Sequence, residues 1–99
     1  MNLSVNMDEP ISPEDVKKIQ EKSIPAEVFQ AFNECISENF TNNLAQFSRQ
    51  EVVSKILKKL PQLTEVQERW LNIENIYSKK GWTVKYVNPY YQFTYRLTR

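Results

Sequence analysis

Gly81 is the only glycine in the 99 residues, so the chain has a single position where left-handed backbone geometry carries no side-chain penalty. That position separates two patterns. Before it, Asn72 is placed to cap a helix over Ile73 to Lys80, and Gly81 to close that helix in a left-handed C-terminal cap. After it, apolar and aromatic residues alternate with polar and basic ones from Trp82 to Leu97, the period of a β-hairpin. Asn88-Pro89-Tyr90-Tyr91 lies in the middle as a turn with proline at its second position. A loop centred there predicts Tyr86 opposite Phe93, Val84 opposite Tyr95 and Trp82 opposite Leu97 on an apolar face. Lys85 then faces Thr94, and Thr83 faces Arg96, on a polar one.

A two-stranded hairpin is marginal alone, so its aromatic face calls for helices to pack on. Ser12-Pro13-Glu14-Asp15 opens a first helix, with proline at its first position and acids in its first turn; it runs to about Lys22. Ile24-Pro25 restarts the chain into a second helix, Pro25 to about Phe40, whose apolar face is Val28, Phe29, Phe32, Cys35 and Ile36. Ser48 and Glu51 spell a capping box, with Phe47 and Val52 at the staple positions, and Val52, Val53, Ile56, Leu57 and Leu60 form the stripe of a third helix that Pro61 stops. Thr64 with Gln67 opens a further capped turn near Trp70 and Leu71, and residues 64–80 read as one helix or two. The expectation is an α+β fold: three to five short helices packed against a C-terminal antiparallel β-hairpin, with a winged-helix-like arrangement as one form of it. Residues 1–11 lack a sustained period and read as a flexible tail; residues 12–99 read as one domain.

Several function classes are closed by composition. There is no histidine, so imidazole metal sites, Ser-His-Asp triads and Cys-His pairs are impossible within this chain. A lone Cys35 forms no internal disulfide, and its neighbours Ala31, Phe32 and Ile36 make it a small buried hydrophobe rather than a nucleophile. One glycine leaves no phosphate-cradling loop. Paired carboxylates at Glu65 and Glu68, or Asp8 and Glu9, read as solvated surface. Neither a catalytic constellation, a cofactor motif nor a metal-ligand spacing remains. Apolar runs fall well short of the ~20 residues of a membrane span, and residues 1–10 carry no export pattern, so the expected location is the cytoplasm.

Charge runs as a gradient beneath a net of +1. Residues 1–40 carry eight acids against three lysines, and no acid follows Glu74, whereas Lys79, Lys80, Lys85, Arg96 and Arg99 put +5 on the C-terminal end. These five cations, with Tyr90 and Tyr91 at the expected hairpin tip, are the candidate partner-binding residues, since tyrosine and arginine are favoured contact residues.

Three segments carry a family resemblance: Ile24-Pro25-Ala26-Glu27-Val28-Phe29-Gln30-Ala31-Phe32-Asn33-Glu34, Ile73-Glu74-Asn75-Ile76-Tyr77, and Gly81-Trp82-Thr83-Val84-Lys85-Tyr86 followed by a late Tyr/Phe strand. Together they resemble a group of small phage-encoded proteins of unassigned function. The matching positions read as caps, core and hairpin start, and no active site comes with them. The resemblance implies a phage or prophage origin and an accessory role in the bacterial host cytoplasm.

Two readings of function follow. The first is a non-enzymatic protein-interaction module that binds a host or viral protein, its oligomeric state open. The alternative is a winged-helix-like nucleic-acid-binding regulator that uses the basic helix and hairpin. Against the alternative stand the small net charge and the long stretch from Pro61 to Asn72, where a helix-turn-helix needs a short turn.

Overall fold

The computed structural model describes residues 10–95. The α+β architecture follows the expected plan, with four α-helices and a four-stranded antiparallel sheet among the described residues, the last two strands forming the C-terminal hairpin. The expected tail, apart from Pro10 and Ile11, lies outside the described residues, as do Arg96 to Arg99.

Helix α1 spans Pro13–Lys22, and the Ser12 hydroxyl accepts the Asp15 amide at 3.1 Å. It buries no residue. Helix α2, Ala26–Asn39, starts from Pro25 and buries Val28, Ala31, Phe32, Cys35 and Ile36, the i, i+3, i+4 set of one face. Helix α3, Arg49–Lys59, has the full capping box: the Glu51 amide donates to Ser48 Oγ at 3.1 Å and the Ser48 amide to Glu51 Oε1 at 3.4 Å. Phe47 and Val52 are both buried beside it, as a hydrophobic staple requires.

These caps predict unequal outcomes. Ser48→Ala should lower global stability by about 1 kcal/mol, because α3 buries Val52 and Ile56 and its entry is coupled to the core. Ser12→Ala should fray α1 and leave the global urea midpoint in place, since α1 holds nothing in the core. Far-UV dichroism and urea melts of the two variants separate the cases.

Residues 64–80 form two pieces, a 3-10 turn at Glu68–Leu71 and helix α4 at Glu74–Ser78. Helix α4 begins one residue later than the sequence suggests, from Ile73 rather than Asn72, and no side chain caps it. Ile73 is fully buried, so packing takes the boundary position from the better cap former. Gly81 follows with φ of +104° and leads into the hairpin.

The sheet is larger than the hairpin. Strand β1, Phe40–Thr41, pairs with β2, Leu44–Ser48, across Asn42-Asn43, whose φ values of 53° and 67° suit a tight two-residue turn. The hairpin is β3, Trp82–Val87, and β4, Tyr90–Tyr95, and the strand order is β1-β2-β4-β3.

The hairpin register is corrected by two residues. Asn88-Pro89 alone is the loop, with proline at its second position, so Val84 faces Phe93, Tyr86 faces Tyr91 and Trp82 faces Tyr95. A shift of two preserves the faces, and the inner one packs on α2 as expected.

The core is aromatic. Phe32 of α2 is fully buried and lies within 6.3 Å, ring to ring, of Phe47, Tyr77, Tyr91 and Phe93. Phe47 stacks on Phe93 at 5.5 Å, and Tyr77 meets Phe93 edge-on at 5.3 Å. Trp70 is 6% exposed and its indole N–H has no acceptor among the described residues, a cost set against the area its ring buries.

Candidate partner-binding surface

Helices cover one face of the sheet only. Period-two alternation sends Ala45, Phe47, Tyr91, Phe93 and Val84 inward, and leaves Leu44, Gln46, Thr83, Lys85, Val87, Tyr90 and Thr94 on an outer face that no described helix covers. Among the described residues eight large hydrophobic side chains are exposed and six belong to this sheet: Leu44, Val87 and Tyr90 on the outer face, and Phe40, Tyr86 and Tyr95 at the margins of the inner one. Val87, 59% exposed, sits directly opposite Tyr90, 45% exposed, beside the loop. Lys85 is the only charged residue in the four strands. Next to it Gln92 Nε2 donates to Gln46 Oε1 at 3.0 Å, which ties β4 to β2 across the outer face.

Strand β3 is also an open edge. The Tyr95 amide donates to the Asn43 carbonyl at 2.9 Å, so odd-numbered residues of β4 direct their backbone toward β2 and even-numbered ones toward β3. Their partners Thr83, Lys85 and Val87 are then satisfied, and Trp82, Val84 and Tyr86 turn their N–H and C=O groups away from the sheet. No described strand pairs with them.

Beside the start of β3 a cleft of about 450 Å³ opens between Phe29, Asn33, Ile76, Tyr77, Lys80 and Trp82. Its floor is held by the Tyr77 hydroxyl, which donates to Asn33 Oδ1 at 2.7 Å, and burial pushes that phenol well above the usual tyrosine range. Three of its walls are aromatic. The Lys80 ammonium, without an ion pair among the described residues, provides its positive charge.

The sequence-derived residues distribute as follows. Lys80 and Lys85 are exposed, the first at the cleft and the second mid-strand on β3. Lys79 is exposed but lies 3.6 Å from Glu21 of α1. Tyr90 is exposed at the loop. Tyr91 is a correction: it is 2% exposed, its ring packs on Phe32 and its hydroxyl donates to the Leu71 carbonyl at 2.9 Å. The two-residue loop places it one position inside the strand, so it builds the core rather than a tip. Arg96 and Arg99 lie outside the described residues. Missed by sequence reading were Phe29, Asn33 and Ile76 as cleft residues and Val87 as an exposed apolar one. Val87 could have been found from its place directly before Asn88-Pro89.

The charge gradient folds back on itself instead of dividing the surface. Lys59 Nζ meets Glu34 at 2.6 Å and Lys55 meets Glu38 at 3.1 Å, joining α2 to α3. The Lys59 hydrogen bond, helped by the charges of Lys59 and Lys55, holds the Glu34 carboxyl below its usual range. The bond to Glu38 holds Lys55 above its own. Glu34 and Glu38 are thus spent on mid-chain lysines, and Lys80 and Lys85 have no ion pair among the described residues.

Among the described residues no set of three or more Cys, Asp or Glu is grouped to hold a metal ion, and no helix is long and apolar enough to cross a membrane. No protein-family model, curated protein or solved structure matches this chain.

Proposed function

We propose that this chain is a small non-enzymatic accessory protein of phage type that binds a host or viral protein in the bacterial cytoplasm through the uncovered side of its sheet. The observation that carries the reading is the outer face itself, where Leu44, Val87 and Tyr90 stand exposed and Lys85 is the single charge on the four strands. Exposed apolar groups scattered singly are ordinary; the cross-strand pair of Val87 and Tyr90, with Leu44 on the same uncovered face, suits contact with another protein. Tyr90 adds an amphipathic ring of the kind that anchors interfaces.

The nucleic-acid reading draws on Lys80 and Lys85, which have no ion pair among the described residues, yet the outer face between and beyond them is amide, hydroxyl and apolar. A phosphate-tracking surface wants several cations in a row.

The test uses the full chain as bait in bacterial lysate, with and without nuclease, beside a Val87→Glu/Tyr90→Glu variant. Both substituted positions are exposed, so the fold should persist, which dichroism checks. A protein recovered by the wild-type bait in either condition, and lost with the variant, is the expected result. Recovery that vanishes with nuclease would shift the assignment to nucleic acid, and recovery unaffected by the variant would remove the sheet from the interface.

A further inference from the structure

We infer that the β3 edge accepts an extended acidic protein segment as a fifth strand, its apolar side chains entering the Phe29–Trp82 cleft. This rests on the interaction reading above and names the partner's chemistry.

Three observations converge on one edge. Trp82, Val84 and Tyr86 present backbone N–H and C=O groups along it that have no partner among the described residues, the template that strand addition uses. The inner-face side of a strand laid there would point alternate side chains toward the aromatic cleft, at its Trp82 end. The outer-face side would bring the intervening side chains next to Lys85. The segment that fits therefore alternates apolar with acidic residues.

Charge decides between a foreign strand and a second copy of this chain. Antiparallel self-pairing about Val84 would set the two Lys85 side chains on one face as diagonal neighbours, roughly 7–8 Å apart. Lys80 of each copy would add to that repulsion, whereas Lys79 is already paired with Glu21, and no acid is present from Asn75 onward to relieve the rest. Glu74 approaches this region from α4, close to Tyr91 and so at the far end from the cleft. An acidic segment meets Lys80 and Lys85 with opposite charge at the Trp82 end and mid-strand. Lysine on an edge is a device against self-association, and here it also selects the sign of the strand that pairs.

The probe is an acetylated, amidated peptide alternating glutamate with leucine around one central phenylalanine, titrated into the full chain labelled for amide exchange. The same peptide with lysine for glutamate, and an acidic version N-methylated on the face that would bond β3, are the controls. Binding of the acidic peptide should slow exchange of the Val84 and Tyr86 amides by about tenfold or more, and the N-methylated version should fail. The lysine peptide should bind about tenfold more weakly, and Lys85→Glu should invert the preference between the two, a swap that a merely structural lysine would not produce. Equal affinity for both peptides, or binding without slowed exchange at Val84 and Tyr86, would overturn the inference. So would the absence of any binding. If the lysate experiment still recovers a protein that the Val87→Glu/Tyr90→Glu variant loses, the interaction reading survives that failure; if both experiments fail, it falls too.

Discussion

Phe32→Ala should remove about 3–5 kcal/mol of stability, a large part of the roughly 5–15 kcal/mol that holds a domain together. Phe32 is fully buried at the point where α2 meets the sheet, with the rings of Phe47, Tyr77, Tyr91 and Phe93 around it. Those neighbours are themselves pinned. Tyr77 is bonded to Asn33, Tyr91 to the Leu71 carbonyl, and Phe47 and Phe93 lie on paired strands. The cavity left by the missing ring therefore has little freedom to collapse, which puts the cost near the upper end. Trp82→Ala should cost less, because Trp82 is only half-buried and one side of its indole borders the open cleft. Tyr90→Ala should stay within about 0.5 kcal/mol of wild type, as exposed substitutions do. Urea melts followed by far-UV dichroism rank the three. A Phe32→Ala midpoint no lower than that of Trp82→Ala would show that the core is centred elsewhere.

Local chemistry was readable where a few adjacent residues decide the outcome. Ser12-Pro13, Ser48 with Glu51, and the face from Val28 to Ile36 act within one or two helical turns, and each appears where its residues place it. Long-range pairing was not. Nothing in Leu44-Ala45-Gln46-Phe47 says that β4 lies beside it, and five residues with one small inward side chain give a weak strand signal. The sign that was present, two consecutive asparagines tolerant of positive φ, marks a turn only once strands flank it. In the hairpin, alternation fixed the faces and left the register free by two, because a two-residue slip returns every side chain to its own side. Loop length then decided whether Tyr91 was a contact or a core residue. The ion pairs from Lys55 and Lys59 to Glu38 and Glu34 needed the α2–α3 packing before they could be seen. For the candidate surface the same division holds. Lys80, Lys85 and Tyr90 were legible as residue types, but the cleft and the open edge exist only because α2, α4 and β3 meet.

Raising the pH should destabilise this domain, and Cys35 should start the loss. Burial pushes the Cys35 thiol up to about 12, against roughly 8.5 for a thiol in an unfolded chain. Burial likewise raises the Tyr77 and Tyr91 phenols above their ordinary range. Each of these groups keeps its proton in the folded state after the unfolded state has released its own. Stability is therefore complete below about pH 8.5 and declines as pH rises, at a limiting slope of about 1.4 kcal/mol per pH unit for one such group. Carried to the folded thiol's own titration, Cys35 accounts for a loss on the order of 5 kcal/mol. The tyrosines join above about pH 10, where Lys55, held protonated by Glu38, begins to push in the same direction. The interval between about pH 9 and pH 10 thus isolates the thiol. Urea midpoints measured across it should fall steadily for wild type and stay nearly level for Cys35→Val, whatever the variant's absolute stability. Native Cys35 should also resist thiol reagents until urea opens the core, since no part of it is exposed. Parallel slopes for the two proteins would mean that the thiol ionises as freely when folded as when unfolded, and that the α2 face does not seal it from water.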